Sequence, residues 1–162
     1  HNVYGEHQNI GDRYRNVVGI FMNQVMLGNP MPVFGDGLQT RAFTHIDDVA
    51  PLIAQCVDVP ASRNKVFNVG SESPRTVRDV AIAVAAAFGV EPRLTHLPAR
   101  KEVVHAFSSS DRCTAVFGHR KTIELEEGVK RMAEWAKKHG PRQTNVFTGI
   151  EVEKNLPPSW RT

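Results

Sequence analysis

The sequence predicts a mixed α/β chain, and three observations carry that prediction. Apolar residues recur at helical spacing in several stretches, and short β-branched and aromatic runs lie between them. Gly, Pro or Asn closes most of these runs. The alternation of strand and helix is interrupted, so a full series of βαβ units is not expected. The length of 162 residues suits one domain, and a domain of that size buries ~70% of its unfolded surface.

Each element follows from local chemistry. "HNVYG" reads as the end of an apolar strand running into a glycine turn, as if the chain opened in mid-fold. Val17, Phe21 and Val25 lie four apart, with Val18 and Met22 beside them, which predicts a helix over 17–27 stopped by Gly28-Asn29-Pro30. "MPVF" predicts a short strand, Gly35-Asp36-Gly37 a tight turn aligning it with the next, and "QTRAFTHI" that second strand. Asp47-Asp48 before "VAPLIAQCV" predicts a helix start capped by an aspartate, with Pro51 in the tolerant first turn. "KVFNVG" predicts a strand, Thr76 a cap for a helix over 77–88, and Gly89 its end. "PRLTHL" alternates like a strand, and Ser110 opens a short helix that Gly118 stops. The last helix, about 124–139, puts Leu125, Val129, Met132 and Ala136 on one stripe, with acids early and lysines late to complement its dipole. Residues 1–143 are expected to form one unit and 144–162 an extended tail, where Pro157-Pro158 bars a further helix.

Composition excludes several classes of function. The apolar run that contains Ala81 to Phe88 is far shorter than the ~20 residues that cross a bilayer. No charged-then-apolar leader opens the sequence, and Cys56 and Cys113 form no CxxC pair. A reducing, cytoplasmic setting is therefore expected, with no membrane partner. The net charge is +3, with 3 Lys/Arg against 6 Asp/Glu in residues 1–60 and 17 against 11 in 61–162. The basic half alternates in sign, as in "ELEEGVKRMAEWAKKHG", which is how a solvated helix face reads. Without a basic-aromatic pattern, no nucleic-acid partner is expected.

Four segments in this order and spacing, "HNVYG", "MPVFGDGLQTRAFTHIDDVA", "KVFNVG" and "LPARKEVVHAF", resemble the C-terminal half of a nucleotide-sugar epimerase/dehydratase. That family belongs to the extended short-chain dehydrogenases/reductases, and UDP-glucose 4-epimerase is its familiar member. The resemblance covers residues 1 to about 139 and implies the fold class: the C-terminal portion of an extended short-chain dehydrogenase/reductase, with most of the Rossmann domain missing. It implies NAD as cofactor of the full-length proteins and a nucleotide sugar, a UDP-sugar by default, as ligand. The family's Gly-x-x-Gly-x-x-Gly loop lets backbone N–H groups reach a pyrophosphate. Here Gly35 and Gly37 have no third glycine in register and lead into a strand. The family's catalytic Tyr-x-x-x-Lys is also absent, because Gln8 and Val18 stand four residues after Tyr4 and Tyr14. No catalytic residue is therefore assigned, no NAD is expected on this chain alone, and no turnover is expected of it.

The resemblance places Asn2, Asn16, Val17, Val33, Phe34, Arg41 and Arg100 around the ligand. Asn2 is implied as an amide donor to the diphosphate, though asparagine also tolerates a turn at a strand end. Asn16 and Val17 open a helix, where capping alone accounts for Asn16 and the family adds a base or phosphate contact. Val33-Phe34 resemble residues flanking the nucleobase, while a Val-Phe pair in a strand is otherwise ordinary core. Arg41 is the leading candidate, because a guanidinium within a strand of apolar and small residues stays charged and needs an anion. A structural ion pair is the other way to meet that need. Many relatives follow this arginine with an aspartate; Ala42 stands there instead, leaving Arg41 either freer for phosphate or less well oriented. Arg100 resembles a second phosphate or ribose contact. Where the commonest family form has an acid three positions later, this sequence has Val103, so Glu102 is the nearest substitute. A metal site from His45, Asp47 and Asp48 lacks further ligands at suitable spacing, so no metal is expected.

Three functions compete at this point. The first is the nucleotide-sugar-binding part of an epimerase, with a 4,6-dehydratase, which shares most of these motifs, as its alternative. The second is a non-catalytic sugar-nucleotide binding module. The third is an inert fragment that forms homo-oligomers through exposed sheet edges and apolar patches.

Overall fold

A computed structural model describes residues 2–12 and 14–143; His1 and the expected tail, 144–162, lie outside the described residues. The elements in order are β1 (Asn2–Tyr4), α1 (Val17–Met26), β2 (Met31–Phe34), β3 (Thr40–His45), α2 (Ile46–Gln55), a single 3₁₀ turn (Pro60–Ser62) and β4 (Pro74–Thr76). They continue with α3 (Val77–Phe88), β5 (Leu94–Leu97), β6 (His105–Ala106), α4 (Asp111–Phe117) and α5 (Leu125–His139).

Strand β3 organises the main sheet. Its second half, Phe43–His45, pairs in parallel with β1. Its first half pairs antiparallel with β4 on one edge and parallel with β6 on the other. A second, two-stranded sheet pairs β2 with β5 in parallel, Met31 opposite Leu94 and Phe34 opposite Leu97. The expected alignment of β2 with β3 is therefore corrected, since the two strands belong to different sheets. The Gly35–Gly37 turn carries the chain from one to the other, with both glycines at positive φ (67° and 78°) and Asp36 Oδ1 accepting from Leu38 N at 2.9 Å.

Helices α1, α3 and α5 pack on one another around Phe21, Met22, Val80, Val84, Val129 and Met132, all fully buried. Their ends carry the expected signals. Asn16 Oδ1 accepts from Val18 N at 3.0 Å. Thr76 and Asp79 form a reciprocal capping box, and Gly89 closes α3 at φ 70°. Helix α5 spans Leu125–His139, with its acids in the first turn and Lys137, Lys138 and His139 in the last.

Two further expectations are corrected. Helix α2 begins at Ile46, and His45 is its cap, with Nδ1 accepting from Asp47 N at 3.2 Å. Asp47 and Asp48 fall inside the first turn, where their charge still favours the helix N-terminus. Residues 65–70 form no strand, because a strand needs a ladder partner and none pairs with them among the described residues. That segment is held by side chains instead. Phe67 packs edge-on against Phe117 with centroids 5.4 Å apart, and Ser110 Oγ donates to Gly70 O at 3.2 Å. Ile53, Val57 and Val66 are exposed.

Among the described residues no helix is long and apolar enough to cross a membrane. Both cysteines are free thiols, Cys113 buried and Cys56 half-buried. Burial raises the Cys113 thiol above its ordinary value, and nearby Cys56 adds to that against the opposing Arg120 charge. Iodoacetamide at neutral pH is therefore expected to alkylate Cys56 and spare Cys113 in the native chain, with both reacting in urea. Intact mass before and after labelling checks this, and equal labelling of both thiols in the native chain would contradict it.

Candidate functional site

A cleft of about 440 Å³ opens between β3 and the β2–β5 sheet. Strand parity decides which side chains enter it, because alternate residues point to opposite faces. On β3, Arg41 and Phe43 line the cleft, together with Gln39 just before the strand. Ala42 points the other way and is 2% exposed. On β2, Pro32 and Phe34 line it, while Met31 and Val33 are each 1% exposed in the core. Helix α1 contributes Val17, Ile20 and Gln24, and the connection after β5 contributes Arg100 and Glu102.

The cationic end is closely built. Arg41 Nη1 donates to Thr40 O at 2.8 Å and Val104 O at 3.1 Å. Its Nη2 donates to Glu102 Oε2 at 3.0 Å. Arg100 Nη2 reaches the same oxygen at 3.4 Å, and the Arg100 guanidinium lies 3.9 Å from the centre of the Phe34 ring. Two guanidiniums thus share one carboxylate. At the foot of the cleft, Gln39 Nε2 donates to Phe34 O at 3.1 Å, tying the end of β2 to the start of β3. Arg15 also lines the cleft, paired with Asp12 at 2.9 Å.

Five of the seven residues singled out by sequence meet here: Asn2, Val17, Phe34, Arg41 and Arg100. Two do not. Val33 faces the core, where a Cβ on Gly37 would come within 2.8 Å of its Cγ1. Asn16 lines a wider, shallower hollow shared with Asn2 and the 5–12 loop. Its side chain is engaged at both ends, accepting from Val18 N and donating from Nδ2 to Val3 O at 2.8 Å. Arg41 has the structural ion pair weighed in the sequence, supplied by Glu102 across the cleft and not by an aspartate at position 42. Sequence reasoning missed Gln39, although period-2 alternation with Arg41 and Phe43 could have found it.

The residues of the metal site weighed in the sequence, His45, Asp47 and Asp48, are engaged elsewhere. His45 is fully buried, its Nδ1 committed to the helix cap, and its Nε2 lies 3.1 Å from Glu6 Oε2 but off the line of a hydrogen bond. Asp47 pairs with Arg131, and Asp48 Oδ2 accepts from Ile123 N at 3.0 Å. Among the described residues no three His, Cys, Asp or Glu side chains are grouped for a metal. The Gly35–Gly37 turn joins two strands and so presents no helix N-terminus to a pyrophosphate. That turn therefore does not supply the phosphate cradle of a dinucleotide fingerprint.

Residues 1–70 match the NAD dependent epimerase/dehydratase family. The chain is 29% identical over 135 residues to dTDP-L-rhamnose 4-epimerase of Burkholderia thailandensis, covering 83% of this chain and 37% of that protein. It is 30% identical over 136 residues to UDP-glucose 4-epimerase of Mycolicibacterium smegmatis, covering 83% and 42%. Among solved structures, UDP-glucose 4-epimerase of Thermotoga maritima with UDP-glucose superposes with a TM-score of 0.78 at 27% identity, over 85% of this chain and 44% of that one. UDP-glucose 4-epimerase of Thermus thermophilus in complex with NAD gives 0.70 at 27% identity, over 84% and 44%. The chain spans about two fifths of the length of these relatives.

Proposed function

We propose that this chain, which is related to NAD-dependent UDP-sugar epimerases and dehydratases and aligns with one part of them, binds a nucleoside diphosphate sugar in the β3 cleft. One observation carries the reading: two guanidiniums meet on one carboxylate in a cleft that is also lined by an aromatic ring, on which one of them lies. A diphosphate needs paired charged donors, which Arg41 and Arg100 supply, and Arg41 is held in place by two carbonyls. A base needs a flat apolar floor, which Phe34, Val17 and Ile20 offer, with edge hydrogen bonds available from Gln24 and Gln39. A UDP-sugar is the preferred ligand because UDP-glucose 4-epimerases stand among the relatives, beside one named for a dTDP-sugar.

The contribution of these 162 residues is orientation: the cleft fixes the nucleotide end and thereby places the sugar. In this reading no residue of the cleft is assigned to proton abstraction or hydride transfer, because the sequence has no Tyr-x-x-x-Lys. Residues 1–143 are the binding unit in this reading, and turnover by the isolated chain would contradict it. Calorimetric titration with UDP-glucose, with GDP-mannose as control, tests it directly. Arg41→Ala is expected to weaken UDP-glucose binding by about tenfold or more, the worth of a hydrogen bond to a charged group. Equal affinity in the variant would remove Arg41 from the site.

A further inference from the structure

We propose that the connection between β5 and β6 is a plug, displaced by ligand, whose Glu102 carboxylate and Arg100 guanidinium stand where the diphosphate and the base are to bind. The proposal rests on the reading of the cleft as a nucleotide-diphosphate site. Glu102 Oε2 lies within reach of both guanidiniums, 3.0 Å from Arg41 Nη2 and 3.4 Å from Arg100 Nη2, as a single bridging phosphate oxygen would. The Arg100 guanidinium, itself flat, lies 3.9 Å from the Phe34 centroid, the face on which a base would stack. Both recognition elements are thus satisfied by one short segment. Glu102 N donates to Arg100 O at 3.0 Å, holding the two residues in a turn, and Val104 O is pinned by Arg41 Nη1.

The physical case for a plug is the cost of the alternative. A guanidinium only 17% exposed, like that of Arg41, is expensive to leave without an anion. Glu102 removes that cost in the unliganded chain, and any ligand must then supply more than one carboxylate does. A diphosphate carries more charge and spans both arginines once Arg100 has turned off the Phe34 ring toward it, whereas a single carboxylate or chloride gains little by exchange. The plug therefore selects for polyanions at the expense of absolute affinity. A plug closed about nine-tenths of the time lowers apparent affinity about tenfold.

The test is calorimetric titration of inorganic pyrophosphate and of UDP into the wild-type chain and into Glu102→Gln and Glu102→Ala, with circular dichroism to confirm that each is folded. The expected result is pyrophosphate binding about tenfold tighter in both variants than in wild type. Equal or weaker pyrophosphate binding by the folded variants overturns the plug and leaves Glu102 as a residue that positions the arginines. Unchanged pyrophosphate binding with weakened UDP binding also overturns it, assigning Glu102 to the ribose. Absence of binding by wild type and both variants overturns the cleft reading itself, and the plug with it.

Discussion

Gly128→Ala is expected to destabilise the folded chain by about 2 kcal/mol, although a glycine in a helix interior normally improves when replaced by alanine. Two effects oppose each other. Removing glycine's backbone freedom within α5 contributes about 1 kcal/mol in favour of alanine. Against that, a Cβ at position 128 would fall on the Tyr4 hydroxyl, inside van der Waals contact, and 3.0 Å from both Tyr4 Cζ and His45 Cδ2. Tyr4 is 2% exposed and His45 fully buried, so neither ring has room to turn aside. Helix α5 must lift from β1 and β3 instead, at an overpacking cost of about 3 kcal/mol. Urea unfolding of the variant measures the net effect. The mechanism also predicts coupling: Tyr4→Phe removes the atom in conflict, so Tyr4→Phe/Gly128→Ala should recover at least half the loss. A Gly128→Ala chain as stable as the parent would show that α5 does not approach β1 so closely.

The same glycine marks a limit of what sequence discloses. "ELEEGVKRMAEW" reads as one amphipathic helix, and the stripe Leu125, Val129, Met132 and Ala136 is buried as that pattern requires. An isolated glycine in such a pattern hints at a close approach, yet nothing local says that Tyr4, far away in sequence, is what approaches. The helices were legible because their periodicity and caps are local: 77–88 agrees residue for residue with α3, and the others differ by a residue or two at their ends. The start of α2 was misread because histidine is an uncommon cap, and here its Nδ1 serves as an Asp or Asn oxygen would. β4 and β6, three and two residues long, are too short to show alternation. "KVFNVG" has strand composition, but a strand also depends on a partner that composition does not reveal.

The cleft was legible in the same uneven way. A charged residue inside an apolar strand drew attention to Arg41, and the structure puts it in the cleft wall. Val33 and Phe34 were indistinguishable by composition, and only the parity of β2 sends one into the core and the other into the cleft. The partner of Arg41 was out of reach, because Glu102 lies 61 residues away and the two are brought together through β6, an element the sequence did not announce.

Raising the pH above about 10 is expected to weaken the fold through Tyr4 in particular. Burial pushes the Tyr4 phenol far above its ordinary value, and the nearby Asp48 and Glu126 carboxylates add to that against the opposing Arg131 charge. The sign follows from which state loses its proton first. In the unfolded chain the phenol ionises near pH ~10, while in the folded chain it stays protonated beside Leu125 O. The unfolded state therefore binds fewer protons over that window, and stability falls as pH rises. The contribution is fully present below the unfolded pKa and is lost as pH climbs toward the folded one. One fully linked proton changes stability by about 1.4 kcal/mol per pH unit over that window. Other groups titrate in this range too, and Tyr4→Phe separates them, since it keeps the ring against His45 and deletes the ionisable hydroxyl, whose lost hydrogen bond to Leu125 O is a pH-independent offset. The stability difference between parent and Tyr4→Phe, measured by urea unfolding from pH 9 upward, should shift steadily in favour of the variant. A difference that stays constant across that range would mean that Tyr4 ionises as readily in the folded chain as in the unfolded one. The close packing of β1 beneath α5 would then be contradicted, and the expected Gly128→Ala conflict with it.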